Sequence, residues 1–275
     1  MTFFFRWGEK RFRSAWCVER DGRSGLLVGT AHFSPHSFKR TLTRLIQRAE
    51  TVLFEGPLDK ESMARVVEYG RQGEGAPSLV EALSPEATRE INRQLRERQD
   101  ASTLTSSLTD LIQPVSVDLL DAHTRGVRPW MAFFTIWTAL LGWKHSMDVE
   151  AFHIARTLGK RIEYLETIDD QLAALDGIPF DNIVNYLNHI ELWSNHKELF
   201  QKAFLKGDLE RFSSMTGQFP TRCESIITRR DPLFFEGIRN ACEGGKTTAF
   251  VGVAHIPGIR KRFLEEGYRI TQETA

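Results

Sequence analysis

The sequence predicts an α/β fold, a largely parallel central sheet flanked by helices, and three observations carry that expectation. The first is a strand, helix, strand succession over residues 26 to 54, running through "LLVGTAH", "FKRTLTRLIQRAE" and "TVLF". A helix that returns the chain to the same edge of a sheet predicts parallel pairing. The second is that apolar stretches of strand length recur at "RIEYL" and "TTAFVG", between long segments of helical periodicity. The third is that these strands finish alike, at or just before His32, Glu55, Glu166 and His255. Ligands of open α/β sheets bind beyond the carboxyl ends of parallel strands, so four polar residues at four such ends predict one cleft.

Taken in order, "SAWCVERDGRSGLLVGTAH" reads as a hairpin, an alternating strand before "DGRSG" and a more apolar one, 26–28, after it. Ser37 is placed as the N-cap of the helix "FKRTLTRLIQRAE", on which Phe38, Leu42, Leu45, Ile46 and Ala49 share one face. "TVLFEGP" is a short strand ending at Glu55 and stopped by Gly56 and Pro57. From about 58 to 145 the pattern is helical, punctuated at "RQGEGAPS", "LSPEA" and "GVRP". This block has no strand alternation and reads as a helical insertion between the second and third core strands of a single domain spanning 1–275.

Within that block, "TREINRQLRERQD" is a solvated, charge-rich helix. "PWMAFFTIWTALLGW", at 129–143, falls short of the roughly 20 residues that cross a bilayer as a helix. It reads as a buried helix or as the wall of an apolar cleft. "MDVEAFHIARTLG" is a helix with Asp148 in its first turn and Gly159 as its stop, and "KRIEYLET" a strand ending near Glu166. Helical segments run from 168 to about 245, broken at "DGIPFDN", "LKGD" and "GQFPT". "KTTAFVGVAH" is the last buried strand, "GIRKRFLEEG" a short helix and "YRIT" a terminal strand.

Composition removes several function classes. Lys+Arg and Asp+Glu each number 36 in 275 residues, so no global field draws in nucleic acid or an anionic membrane. The three cysteines, Cys17, Cys223 and Cys242, form no CxxC pair and suit a reducing compartment better than a disulfide scaffold. "MTFFFRWGEK" lacks the apolar core and cleavage site of a secretory signal. A soluble, cytoplasmic protein without a transmembrane segment is expected. There is no GxSxG, Walker loop or GxGxxG, hence no nucleotide cofactor.

The chemistry is expected at the strand ends. Gly29 precedes His32 by three positions and Gly252 precedes His255 by three, each glycine clearing space where a strand bends or a ligand approaches. Two neutral imidazoles with a carboxylate, His32, His255 and Glu55, suit a divalent transition metal such as manganese, cobalt or zinc. A metal there lowers the pKa of bound water towards roughly 7. The metal-free alternative uses a histidine as general base with a carboxylate orienting it. Each residue also has a plainer reading. His32 alone would be a hydrogen-bonded structural histidine, Glu55 a salt-bridge partner, and Glu166 and Asp148 helix-start carboxylates. Two copies of one design outweigh those readings for the histidines.

Other candidates are weaker. Glu150 and His153 have the ExxH spacing of di-metal bundles, but a second ExxH is missing. His123, His189 and His196 have no paired ligand spacing and read as surface or packing residues, and Cys17 as packing. The aromatic run from Trp130 to Trp143 reads as core that could also line a substrate cleft.

Five motifs in order resemble the TraB/PrgY/GumN/Tiki family: "GTAHFSPHS", "VLFEGP", "RPWMAF" with "MDVEAFHIARTLGKRIEYLET", "TRRDPLFFEGI" and "VGVAHIPGI". The likeness spans about 15 to 270. It implies a polar site of His32, Glu55, Arg230 and His255, with Glu166 and Asp148 beside it and Trp130 on the Pro-Trp helix. Arg230 would then bind a substrate carboxylate or a developing oxyanion, since its fork stays charged. Arg229 stands where the family usually has Glu, which alters the charge expected around Arg230. The Tiki branch implies a metal-dependent, peptidase-like hydrolase acting on a peptide or small-molecule substrate, whereas related folds include haem-binding and metal-independent members. The expected function is therefore metal-assisted hydrolysis, with a metal-free histidine hydrolase and a sequestering protein for a peptide or small ligand as alternatives.

Overall fold

A computed structural model describes residues 9–103 and 119–273, apart from the side chains of residues 99–103 and 194–196. Its six strands are β1 (Ala15–Arg20), β2 (Arg23–Thr30), β3 (Thr51–Phe54), β4 (Arg161–Tyr164), β5 (Thr247–Gly252) and β6 (Arg269–Gln272). They form one sheet in the order β4-β3-β5-β2-β1-β6. β4, β3, β5 and β2 run parallel, and β1 pairs antiparallel with both β2 and β6. The mixed, largely parallel sheet read from the sequence is what forms.

The β1–β2 hairpin turns on Asp21 and Gly22, with φ of 52° and 75°. Positive φ at both central residues is the signature of the two-residue turn whose twist matches its strands. β2 and β3 are parallel as predicted but not neighbours, because β5 inserts between them. β5 is buried at all six positions, and a strand apolar on both faces gains most from the centre, where helices cover both sides. The helix Lys39–Gln47 crosses over from β2 to β3 with Thr41, Leu42, Leu45 and Ile46 buried. Its N-cap is Phe38, not Ser37. The Phe38 N–H finds its acceptor across the fold, donating to Glu150 Oε2 at 3.0 Å. That bond also occupies the carboxylate of the ExxH pair.

Apolar side chains gather in two clusters. One surrounds the sheet and includes Phe12, Phe54, Phe250 and Phe263. The other is built from helices, among them Pro129–Leu141, Phe180–Leu187 and Ile190–Lys206, and includes Trp130, Phe133, Trp137, Ile183 and Trp193. Burying such side chains stabilises by about 1.5–3 kcal/mol each, enough to hold a helical layer with no strand in it. The helix Pro85–Thr103 is charge-rich outside, with Arg93 paired to Glu90 and Glu97, but it is not wholly solvated. Ala87, Ile91 and Leu95 are buried. The described part of 58–145 contains no strand, while 104–118 lie outside the described residues. Among the described residues no helix is long and apolar enough to cross a membrane.

Candidate functional site

The sheet order dictates the order of the polar residues at its carboxyl end: Glu166 after β4, Glu55 after β3, His255 after β5 and His32 after β2. Backbone bonding continues past the strand ends and keeps these residues in register. Glu166 N donates to Glu55 O and Val253 N to Thr30 O, both at 2.9 Å. Four residues spread over more than 220 positions thus stand side by side.

Each imidazole is held by an aspartate. His32 Nδ1 lies 2.8 Å from Asp148 Oδ2, and the Thr30 hydroxyl fixes the other oxygen of Asp148 at 2.6 Å. His255 Nδ1 lies 2.7 Å from Asp231 Oδ1. Asp148 is in the first turn of the helix Met147–Thr157, where Ser146 caps the chain by accepting from Val149 N. Asp231 is in the first turn of the helix Arg230–Glu243. With Nδ1 committed, each ring presents Nε2.

Glu55 and Arg230 join the two histidines. The Arg230 guanidinium donates to Glu166 from Nε at 2.8 Å and from Nη2 at 2.5 Å, and to Glu55 Oε2 from Nη2 at 2.7 Å. Its Nη1 lies 3.4 Å from His255 Nε2. Arginine can only donate, so at this contact His255 Nε2 carries the lone pair and Nδ1–H donates to Asp231. Glu55 Oε1 accepts the Gly252 N–H at 2.6 Å and lies 3.9 Å from His255 Nε2. A Cβ on Gly252 would stand 2.9 Å from His32 Nε2 and 3.1 Å from Glu55 Oε1. The bare face of this glycine therefore keeps open the space between His32 Nε2 and Glu55 Oε1.

The charges follow from these neighbours. Burial opposes ionisation of Glu55, but Arg230, helped by His32 and the Gly252 N–H, outweighs it and holds the carboxyl down to about 2. Burial dominates at Glu166 and pushes its carboxyl above the usual range despite Arg230. The cleft walls oppose protonation of His32, yet Asp148, helped by Glu55, raises the ring to about 9. Its side chain keeps 56% of its surface open to the cleft. His32 is thus a cationic donor at neutral pH. Asp148→Asn should bring its NMR titration midpoint down to or below the ordinary 6.5, because the walls remain when the partner charge is gone. A midpoint still near 9 in that variant would refute the assignment.

A five-residue π-helical turn, Glu224–Thr228, leads into Arg230. Such turns cluster at functional sites, and this one turns the preceding residue outward. Arg229 is exposed and pairs with Glu224 at 3.0 Å, whereas Arg230 is buried against Glu55 and Glu166.

Above the charged floor lies a cleft of about 720 Å³. His32, Glu55, Asp148, Arg230 and His255 line it, under walls that include Phe134, Trp137, Trp143, Tyr186, Trp193 and Phe212. Glu166 sits behind Arg230 and is not among the lining residues. Trp130, expected on a substrate wall, also lies elsewhere: it is buried in the helical cluster with its indole N–H on Asp176 Oδ1 at 2.9 Å. Asp148 lines the cleft and also positions His32. His189 is at the cleft wall, whereas His123 belongs to the short helix Leu119–Thr124 and the His196 side chain lies outside the described residues. Sequence reasoning missed Asp231 as the partner of His255. Its only signal was an acid directly after Arg230 in "RRDP".

The donor chemistry suits a metal better than the arrangement does. Both imidazoles offer Nε2, but the Arg230 cation already faces His255 Nε2 and binds Glu55. No group of three or more His, Cys, Asp or Glu side chains among the described residues is arranged to hold a metal ion.

Fold and site together define an α/β protein whose parallel strands end in two aspartate-held histidines around an arginine–glutamate cluster. The chain belongs to the TraB/PrgY/gumN family, whose model matches residues 14–272. A comparison with curated proteins finds no match.

Proposed function

We propose that the protein is a peptidase-like hydrolase that cleaves an amide bond of a peptide or small molecule by histidine acid–base chemistry. The observation that supports it is the pairing of two differently poised imidazoles. His255 Nε2 carries a lone pair, His32 Nε2 a proton, and both flank Glu55 Oε1. The Arg230 contact to His255 Nε2 is long, at 3.4 Å, so a water can take that lone pair in its place and bond Glu55 Oε1 as well, the two acceptors being 3.9 Å apart. That water gives a proton to His255 as its oxygen bonds to the carbonyl carbon. His32 donates to the developing oxyanion and then protonates the leaving nitrogen as the C–N bond breaks. Arg230 keeps Glu55 ionised and fixed. Three free cysteines support a reducing, cytoplasmic setting.

The test is cleavage of a peptide library by the purified protein with and without chelator, together with its metal content. Cleavage should survive chelation and fall by roughly 10²–10⁴ in His32→Ala and in His255→Ala. Activity untouched by both variants, or no cleavage at all, would sink the proposal. A metal-assisted form of the same hydrolysis is the second reading, favoured by the two carboxylate-held Nδ1 atoms, an arrangement that metal-ligating histidines share. It predicts near one equivalent of bound manganese, cobalt or zinc that His32→Ala and His255→Ala remove, and activity lost on chelation.

A further inference from the structure

Two arginines line the cleft, Arg222 and Arg230, and their circumstances are opposite. Arg230 is neutralised by two carboxylates. Arg222 has only neutral acceptors: Nε and Nη2 donate to the Thr216 hydroxyl at 3.2 and 2.8 Å, and Nη1 to Ala254 O at 3.0 Å. A guanidinium has five N–H groups, so one on each terminal nitrogen has no protein acceptor among the described residues. Asp231 is the acid that acts on Arg222 through space, and its Oδ1 is already engaged with His255. Burial pulls the Arg222 pKa down from its ordinary value, and Asp231, which makes no hydrogen bond to it, offsets this only in part.

A half-buried cation that meets the Phe212 ring at 5.6 Å and shares its one nearby acid with His255 still has N–H groups free to take an anion in the apolar cleft. The same stretch of chain lines the cleft with further polar groups, Ser214, Gln218 and Thr221. Position decides what the anion is attached to. Arg222 holds the carbonyl of Ala254, the residue before His255, so an anion on Arg222 lies beside the proposed base. Aromatic walls of Trp137, Tyr186 and Trp193 call for an apolar body.

We propose that Arg222 anchors the free carboxylate of the substrate, and that the substrate class is an N-acylated apolar amino acid or a short peptide with an apolar C-terminal residue. This rests on the hydrolase reading: a carboxylate on Arg222 puts the amide next to it in the chain over His255, Glu55 and His32. Cleavage then releases the terminal amino acid.

Binding separates this inference from the reaction. 2-Benzyldodecanoic acid and the corresponding alcohol carry no amide, and the cleft tryptophans report their binding by fluorescence. The wild-type protein should bind the acid at least about tenfold more tightly than the alcohol, as expected for a charge-assisted pair. Arg222→Met should bind both alike, and Arg222→Lys should keep part of the preference. Equal binding of the two probes by wild type, binding of neither, or a preference retained in Arg222→Met would overturn the proposal. The acid–alcohol comparison in wild type stands even if a variant fails to fold. Cleavage of N-decanoyl-L-phenylalanine is read separately. An acid preference without cleavage sinks the hydrolase reading and leaves the Arg222 anchor; cleavage without an acid preference does the reverse.

Discussion

Arg230→Met should cost the protein about 3–5 kcal/mol of stability at neutral pH, the expected penalty for removing one partner of a buried charge cluster. Its side chain is 11% exposed and lies between Glu55 and Glu166, themselves 11% and 3% exposed, so the variant leaves two carboxylates facing each other without a counter-charge. The two should respond unequally. Glu55 is held down to about 2, so its ionised form contributes stability that is complete above its ordinary 4.5 and lost as pH falls towards 2. Glu166 is already pushed up by burial, so its ionised form contributes less. Chemical denaturation should therefore rank Arg230→Met as most costly, Glu55→Gln next and Glu166→Gln least. The loss of wild-type stability between about pH 4.5 and 2 should flatten in Glu55→Gln. A Glu166→Gln more damaging than Glu55→Gln would contradict this account of the cluster.

Much of the fold was legible because its signals are local. The hairpin announces itself in "DG", where two consecutive residues tolerate positive φ. The parallel strands show as short apolar runs, and the helix stops at glycines such as Gly159, which takes φ of 62°. What was not legible depends on partners far along the chain. β5 stands between β2 and β3 and is buried at all six positions, on both faces. Ser37 loses the N-cap role because Glu150, more than a hundred residues on, serves the next N–H.

The site divides along the same line. His32, Glu55, Glu166 and His255 were visible as a repeated grammar of strand endings, and sheet order then set them side by side. The aspartates that give the two rings their roles were not visible as such. An acid in a helix first turn has an adequate local purpose in balancing the helix dipole, and nothing in the spacing of Asp148 or Asp231 selects a histidine. Arg222 carried no signal either, for an arginine in "TRCES" reads as surface until its neutral surroundings are known. The aromatic run divides: Trp130, with its indole on Asp176 inside the helical cluster, is core, while Trp137 and Trp143 line the cleft.

Gly258→Ala should disable the site although it replaces no residue of the site. A Cβ at this position would come 1.8 Å from Asp231 Oδ2 and 2.8 Å from its Cγ. Neither contact is possible, so the carboxylate must swing away and release His255 Nδ1, which it now holds at 2.7 Å. Asp231 is buried at 6% exposure in a packed corner that cannot absorb the motion freely, and overpacking of this kind costs about 1–3 kcal/mol. The effect on catalysis should be larger than the effect on stability. A base displaced by about 1 Å can lose 10²-fold in rate, and His255 would lose the bond that sets its tautomer as well. Asp231→Asn is the control, because it keeps the volume and weakens only the hydrogen bond. The decisive variant is Gly258→Ala combined with Asp231→Ala, where the new methyl meets no carboxylate. Its stability should exceed the sum expected from the two single changes, as contacting residues are non-additive, while cleavage stays as low as in Asp231→Ala alone. Strict additivity in denaturant, or normal turnover by Gly258→Ala, would mean that the Asp231–His255 contact does not govern the site.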